Sequence, residues 1–258
     1  MKIVLIGAGN LATQLGKSLL GTNHQVVQVY SRTMQSASLL ARQLNCSSVN
    51  DLQEVTDQGD IYFFSVKDSA LESLVEELSL RFNDKIFLHT AGSMPMELFK
   101  NRVNHYGVFY PMQTFSKNRD VDFKVIPCFI EANDEPTEEI VRHVAESLSE
   151  KVYHMSSDRR KYLHLAAVWA CNFVNHCYDI SSILLDEKGI PFDVMWPLID
   201  ETARKVHLIS PKDAQTGPAV RYDRNVMDAH CHLMDDRQDL QHLYRELSDS
   251  IHKRSNER

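Results

Sequence analysis

The stretch Ile3-Val-Leu-Ile-Gly7-Ala-Gly9-Asn10-Leu11-Ala12-Thr-Gln-Leu-Gly-Lys-Ser18 decides the fold of this chain. An apolar strand runs into Gly-x-Gly-x-x-Ala and then into an amphipathic helix, the order of a dinucleotide-binding βα unit. Each position has its own physical task. Gly7 permits the tight turn off the strand, and Gly9 offers no Cβ to a pyrophosphate approaching the helix start at Asn10 and Leu11. Ala12 lets helix and strand pack closely. A glycine pattern alone is weak evidence, but here a strand precedes it, a helix follows, and a second strand arrives at Gln25–Tyr30.

The residues after that second strand indicate which dinucleotide is expected. An acidic side chain there would accept hydrogen bonds from a ribose 2′-hydroxyl, whereas the chain reads Tyr30-Ser31-Arg32-Thr33. A permanently charged guanidinium flanked by two hydroxyls suits a 2′-phosphate, so NADP(H) is expected over NAD(H). A plainer reading stays open: Arg32 as a solvated charge, with Ser31 or Thr33 capping the helix Met34–Leu44.

Composition narrows the partners. The 258 residues, 43% hydrophobic, suffice for two domains. Lys and Arg number 28 against 35 Asp and Glu, a net charge of −7 that provides no basic field for nucleic acid or an anionic membrane. The five cysteines, Cys46, Cys128, Cys171, Cys177 and Cys231, are odd in number and lack paired spacing, which fits a reducing cytoplasm. Lys2 and the apolar run after it resemble a signal peptide only superficially, since the run is one strand long and ends in the glycine turn. No stretch has the length of a membrane-spanning helix.

Strand and helix patterns alternate through the first half, with further strands at Asp60–Ser65, Lys85–His89, Tyr106–Tyr110, Val125–Glu131 and Lys151–Met155 and a helix near Ser69–Ser79. This rhythm predicts an α/β fold with a doubly wound, largely parallel sheet. Runs such as Ile61-Tyr62-Phe63-Phe64 imply strands covered on both faces. Beyond Ser156 the pattern turns wholly helical, placing the domains at 1–155 and 156–258. The second begins with an apolar segment, Tyr162–Leu185, predicted to be a helix buried in the middle of its domain. Another apolar segment, Pro191–Ile209, holds Pro197.

Candidate site residues come from two sources. In an open parallel sheet, ligands bind outside the carboxyl ends of the strands. That position singles out Ser65, Val66 and Lys67, then Ala91 and Gly92, and then Gln113. Gly92 either admits the nicotinamide end or is an ordinary turn glycine. The helix from Tyr162 carries a polar stripe: at 100° per residue, Asn172 lies about 80° and Asn175 about 20° from His164. Buried polar groups cost roughly 1–3 kcal/mol each when unpaired, so the stripe faces a wet cleft or is satisfied internally. In Thr216-Gly217-Pro-Ala-Val-Arg221-Tyr-Asp223, Arg221 is a candidate anchor for a substrate carboxylate, with Thr216 and Gly217 beside it. The plainer alternative there is a structural turn in which Asp223 caps the next helix. His230-Cys231-His232 does not make a metal site, because adjacent helical residues project about 100° apart and no fourth ligand is suitably spaced.

The order of these motifs resembles the 6-phosphogluconate dehydrogenase-like superfamily, which includes pyrroline-5-carboxylate reductases, β-hydroxyacid dehydrogenases and F420-dependent NADP oxidoreductases. More specifically, the chain resembles Rossmann-like NADP oxidoreductases with a C-terminal DUF2520 domain. The match runs through Gly7–Ala12, Ser31–Thr33, Ser65–Asp68, His89–Ser93, Pro111–Phe115, His164–Ala167 with Asn172, Thr216–Arg221 and His232-Leu233. The resemblance implies an N-terminal Rossmann domain, an all-α C-terminal domain and a homodimer formed through the latter. One departure stands out. The β-hydroxyacid dehydrogenases place a catalytic lysine four residues before an asparagine, whereas this helix offers His164 with Asn172 eight residues on.

These readings together imply a cytoplasmic NADP(H)-dependent oxidoreductase that reduces a C=O or C=N bond of a small, carboxylated compound. His164 is the candidate acid and Asn172 its orienter. The missing lysine keeps a non-catalytic NADP(H)-binding sensor as the alternative, and hydride exchange with a deazaflavin is a third possibility.

Overall fold

The computed structural model describes residues Met1–Glu257. Its centre is an eight-stranded sheet in the order β3-β2-β1-β4-β5-β6-β7-β8. The strands are β1 (Lys2–Ile6), β2 (Gln25–Tyr30), β3 (Ser47–Val49), β4 (Ile61–Phe64), β5 (Ile86–His89), β6 (His105–Pro111), β7 (Cys128–Ala132) and β8 (Val152–His154). All neighbours pair in parallel except β6 and β7. Crossover helices α1 (Asn10–Leu19), α2 (Met34–Leu44), α3 (Asp68–Phe82) and α4 (Glu135–Leu148) cover its faces.

The two-residue period of a strand explains the two cores. Ile3 and Leu5 join Leu15, Leu40 and Val144 on one face, while Val4 and Ile6 join Tyr62, Leu71 and Val75 on the other. Both faces being covered accounts for the unbroken apolar strands, as the sequence predicts. The order reverses between β1 and β4, so the topological switch point lies where the Gly7–Gly9 and Ser65–Lys67 loops leave the sheet. The predicted strand Val125–Glu131 begins three residues later, because Phe123–Val125 forms a single 3₁₀ turn.

After β8 the chain is helical: α5 (Ser157–Ala167), a π-helical segment Val168–Phe173, α6 (Val174–Asp186), α7 (Trp196–Leu208), α8 (Pro211–Ala214), α9 (Pro218–Arg221), α10 (Arg224–His232) and α11 (Gln238–Asn256). Pro197 sits in the first turn of α7, where its missing N–H costs nothing. The compact units divide at His176/Cys177 rather than near Ser156, so α5 and the π segment belong with the sheet.

Burial of the helix at Tyr162 differs from the prediction. Tyr162, Leu165, Trp169 and Phe173 are all exposed. The sequence pattern registers apolar side chains but cannot specify what covers them; Leu163 packs against Tyr110 and Phe129, while those four face outward. Among the described residues, no helix is long and apolar enough to cross a membrane.

Candidate active site

Because β1, β4, β5 and β6 are parallel, their carboxyl ends share one edge of the sheet, and the sequence-predicted loops gather there. At Gly7, φ is +122° and a Cβ would stand 2.2 Å from the Ser65 carbonyl oxygen. The Gly7 amide donates to the Tyr30 carbonyl at 2.8 Å, locking the turn. Gly9 is the N-cap of α1, and a Cβ there would reach only the Ser65 oxygen, at 4.0 Å. The N-terminus of α1 has no side-chain cap and no acidic residue in its first turn, so the amides that open at Asn10 and Leu11 are free to face an anion.

Past β2, the Ser31 amide donates to the Val49 carbonyl. Thr33 is the N-cap of α2, its hydroxyl accepting from the Ser36 amide, so the capping reading holds for this residue. Arg32 is exposed and makes no hydrogen bond or ion pair among the described residues. Past β4, the Ser65 amide donates to the Ile6 carbonyl, Val66 follows it, and Lys67 is the N-cap of α3.

The next loop is tied to α5. His89, wholly buried, accepts at Nδ1 from the Ala91 amide at 3.2 Å. Burial, reinforced by the Arg160 charge, lowers its pKa to about 3, so the ring is neutral. The bare face of Gly92 is filled by His164: a Cβ there would lie 2.5 Å from Nδ1 and 2.6 Å from Cγ of the imidazole. The sequence weighs nicotinamide access against an ordinary turn for Gly92. In the structure, the glycine makes room for His164.

One turn before His164, Arg160 is almost wholly buried and donates to Glu131 Oε2 at 2.8 Å and to the Met94 carbonyl at 2.6 Å. Ser157 donates to the same Glu131 oxygen at 2.6 Å and accepts from the Met96 amide. These bonds fasten the first turn of α5 to β7 and to the loop that seats His164. Sequence reasoning missed this clamp. The signals present were an acid inside the apolar strand Cys128–Ala132 and an arginine at i−4 from His164.

His164 and Asn172 line one cavity of about 550 Å³ together with Tyr110, Met112, Gln113 and Ala167. This volume suits a small molecule, and its apolar wall with a few polar groups is the usual make-up of a ligand site. Tyr110, at the end of β6, was also missed. Its hydroxyl lies 3.1 Å from His164 Nδ1, and burial raises its pKa, keeping the phenol protonated. Between His164 and Asn172 the helix widens to π geometry, so uniform 100° steps do not apply, and such segments often occur at functional sites. Asn175 is exposed and absent from the cavity wall.

Residues 2–92 match the family model described as NADP oxidoreductase coenzyme F420-dependent, and residues 126–251 match the domain of unknown function DUF2520. A Bacteroides fragilis protein of known crystal structure, described as a "putative NADP oxidoreductase", is 51% identical over 98% of each chain with a TM-score of 0.95. This chain belongs to the DUF2520 family. By its N-terminal family model and this relative, the DUF2520 chain is an NADP oxidoreductase in class.

More distant structures share the fold of the DUF2520 chain. Protein TM1727 of Thermotoga maritima is 21% identical, covering 99% of this chain and 100% of its own, with a TM-score of 0.80. The 1-pyrroline-5-carboxylate reductase of Streptococcus pyogenes is 17% identical, with 100% and 99% coverage and a TM-score of 0.64. No curated protein matches the chain.

In the second compact unit of the DUF2520 chain, Gly217 is the N-cap of α9 at φ +110° and Thr216 precedes it. Arg221 closes α9, exposed and without an ion pair among the described residues. Asp223 occupies the N-cap of α10 but makes no capping bond, contrary to the expectation from sequence. His230 bonds Tyr244, His232 lies 3.6 Å from Asp235, and Cys231 is buried, so these three side chains do not converge.

Proposed function

We propose that this protein uses NADP(H) to reduce a C=O or C=N bond of a small, carboxylated substrate. The observation that carries the reading is the shared sheet edge: the open helix N-terminus at Gly9 and the His164 cavity both lie at the carboxyl ends of the parallel strands. Gly7, Gly9, Asn10 and Leu11 would hold the pyrophosphate, and Ser31, Arg32 and the first turn of α2 the 2′-phosphate. Ser65, Val66, Lys67, Ala91 and Gly92 would flank the rest of the nucleotide. When bound, the nucleotide supplies the hydride.

The protein's own side chains position the substrate and protonate it. His164 acts as the acid at the reduced centre, Asn172 and Gln113 orient the substrate from the cavity wall, and the apolar lining excludes water. In the second unit, Arg221, a fork-shaped donor with no ion pair among the described residues, is the group we assign to a carboxylate, with Thr216 and Gly217 beside it.

The reading includes a homodimer through the helical region, supported by exposed Leu165, Trp169 and Phe173 on the helix after β8 and, in the second unit by itself, by exposed Trp196, Leu198 and Leu208. A cytoplasmic location accords with five free thiols, two of them buried.

Titration of the purified protein with NADPH and NADH, following nucleotide fluorescence, tests the cofactor. Tight NADPH binding that weakens selectively in Arg32→Ala is the expected result, and binding of neither nucleotide overturns the proposal. A carbonyl and imine screen with His164→Ala as control then separates the enzyme from a sensor, which would bind NADPH without turnover. Sedimentation of Trp169→Glu beside wild type tests the dimer, with conversion to monomer expected.

A further inference from the structure

The hydroxyl of Tyr110 meets His164 Nδ1 at 3.1 Å, with the two rings edge-on, 6.1 Å apart and inclined at 77°. A phenol carries one proton to donate and an oxygen that accepts. Among the described residues no carbonyl or carboxylate oxygen bonds to the Tyr110 hydroxyl, so Nδ1 is the acceptor available to it. Burial of Tyr110 favours the neutral phenol, which retains that proton. His164 is held from two further sides. Gly92 lies flush against Nδ1, Cγ and Cβ of the ring, and the buried Arg160, paired with Glu131, fixes the helix one turn below. Nε2 makes no hydrogen bond to another residue among those described, and His164 lines the cavity.

We propose that Tyr110 is a positioning residue that reserves Nδ1 of His164 for itself, leaving Nε2 as the nitrogen presented to the substrate. In the neutral ring the phenol donates to Nδ1 and the proton resides on Nε2. In the imidazolium, Nδ1–H donates to the phenol oxygen instead. A hydroxyl serves both charge states while keeping the neutral ring's proton on Nε2, whereas a carboxylate would draw that proton to Nδ1 and a backbone N–H could not meet the imidazolium. The groups that meet the ring from neighbouring elements are Tyr110 on β6 and the bare face of Gly92 in the loop after β5. The working role of Nε2 rests on the reading of His164 as the acid, but the assignment of the two nitrogens does not.

The test is nitrogen-15 NMR of histidine-labelled, nucleotide-free protein at a pH where the ring is neutral, with the signals of His164 identified by their loss in His164→Gln. Wild type is expected to show a proton-free Nδ1 and a protonated Nε2. In Tyr110→Phe, the Nδ1 signal should shift strongly and the preference between tautomers should weaken. A wild-type ring protonated on Nδ1, or ring signals unchanged in Tyr110→Phe, overturns the proposal. If the substrate screen yields turnover, Tyr110→Phe should lower kcat by roughly tenfold or more while leaving KM nearly unchanged. Loss confined to KM counts against positioning. Absence of turnover bears on the proposed reaction and leaves the NMR result decisive for Tyr110.

Discussion

Replacing Glu131 by alanine should be among the most damaging single changes in the sheet unit. The Arg160 side chain is 1% exposed and that of Glu131 11%, so the substitution leaves a guanidinium out of water without its counter-charge. Two bonds to the carboxylate vanish, from Arg160 at 2.8 Å and from Ser157 at 2.6 Å. Hydrogen bonds to charged groups contribute about 1.5–3 kcal/mol each, and breaking a buried pair from one side costs about 3–5 kcal/mol, so the two estimates agree. For a unit of this size about 2–4 °C is lost per kcal/mol, which places the melting temperature of Glu131→Ala roughly 6–20 °C below wild type. Arg160→Met should cost a similar amount, because it strands the carboxylate. The double variant Glu131→Leu/Arg160→Met should lose only about 1–3 kcal/mol, chiefly for the Met94 carbonyl and Ser157 hydroxyl left without partners. Calorimetric melting of wild type, Glu131→Leu (which strands Arg160 as the alanine does), Arg160→Met and the double variant closes the cycle and gives the coupling energy, expected to exceed about 3 kcal/mol. Additive single-site losses, or a Glu131→Ala protein melting within about 2 °C of wild type, would refute the view that this pair fastens α5 to the sheet.

Three further substitutions test the site and its surroundings. Gly92→Ala drives a methyl into the His164 ring and should cost about 1–3 kcal/mol in melting experiments while displacing the imidazole, with turnover falling roughly 100-fold; a crystal structure with His164 unmoved would contradict this. Gly7→Ala combines a positive φ with a Cβ against the Ser65 carbonyl, so it should abolish nucleotide binding before it abolishes the fold, as read by fluorescence titration beside circular dichroism. His89 provides a pH test. Its folded pKa of about 3 lies below the unfolded 6.5, so the unfolded chain binds the extra proton and stability falls as pH drops through that window. Each pH unit there costs about 1.4 kcal/mol for this residue. Urea denaturation at pH 6 and pH 4 should show that slope reduced by one proton in His89→Asn, and an unchanged slope would sink the assignment.

The nucleotide fold was legible because its signals are local. A strand's two-residue period, a glycine that must adopt positive φ at Gly7, and a helix start without a cap at Gly9 are properties of short segments that any packing must respect. The same locality fixed the choice of Ser31, Arg32 and Thr33, since they immediately follow β2 wherever that strand lies. The helical half was legible only in part. Apolar periodicity marked the segment after Tyr162 as a helix, but burial is a relation between surfaces, and the segment is exposed with a π-helical stretch that no propensity scale registers. The cavity and its supports came from tertiary structure alone. Tyr110 and Glu131 lie far in sequence from Arg160 and His164, and only the pairing of β5, β6 and β7 brings them to α5. What the sequence determined by itself was a dinucleotide fold followed by a helical region. Only the folded chain decided which groups surround His164, because a hydrogen bond between distant residues depends on strand order and helix placement, and no single segment encodes either.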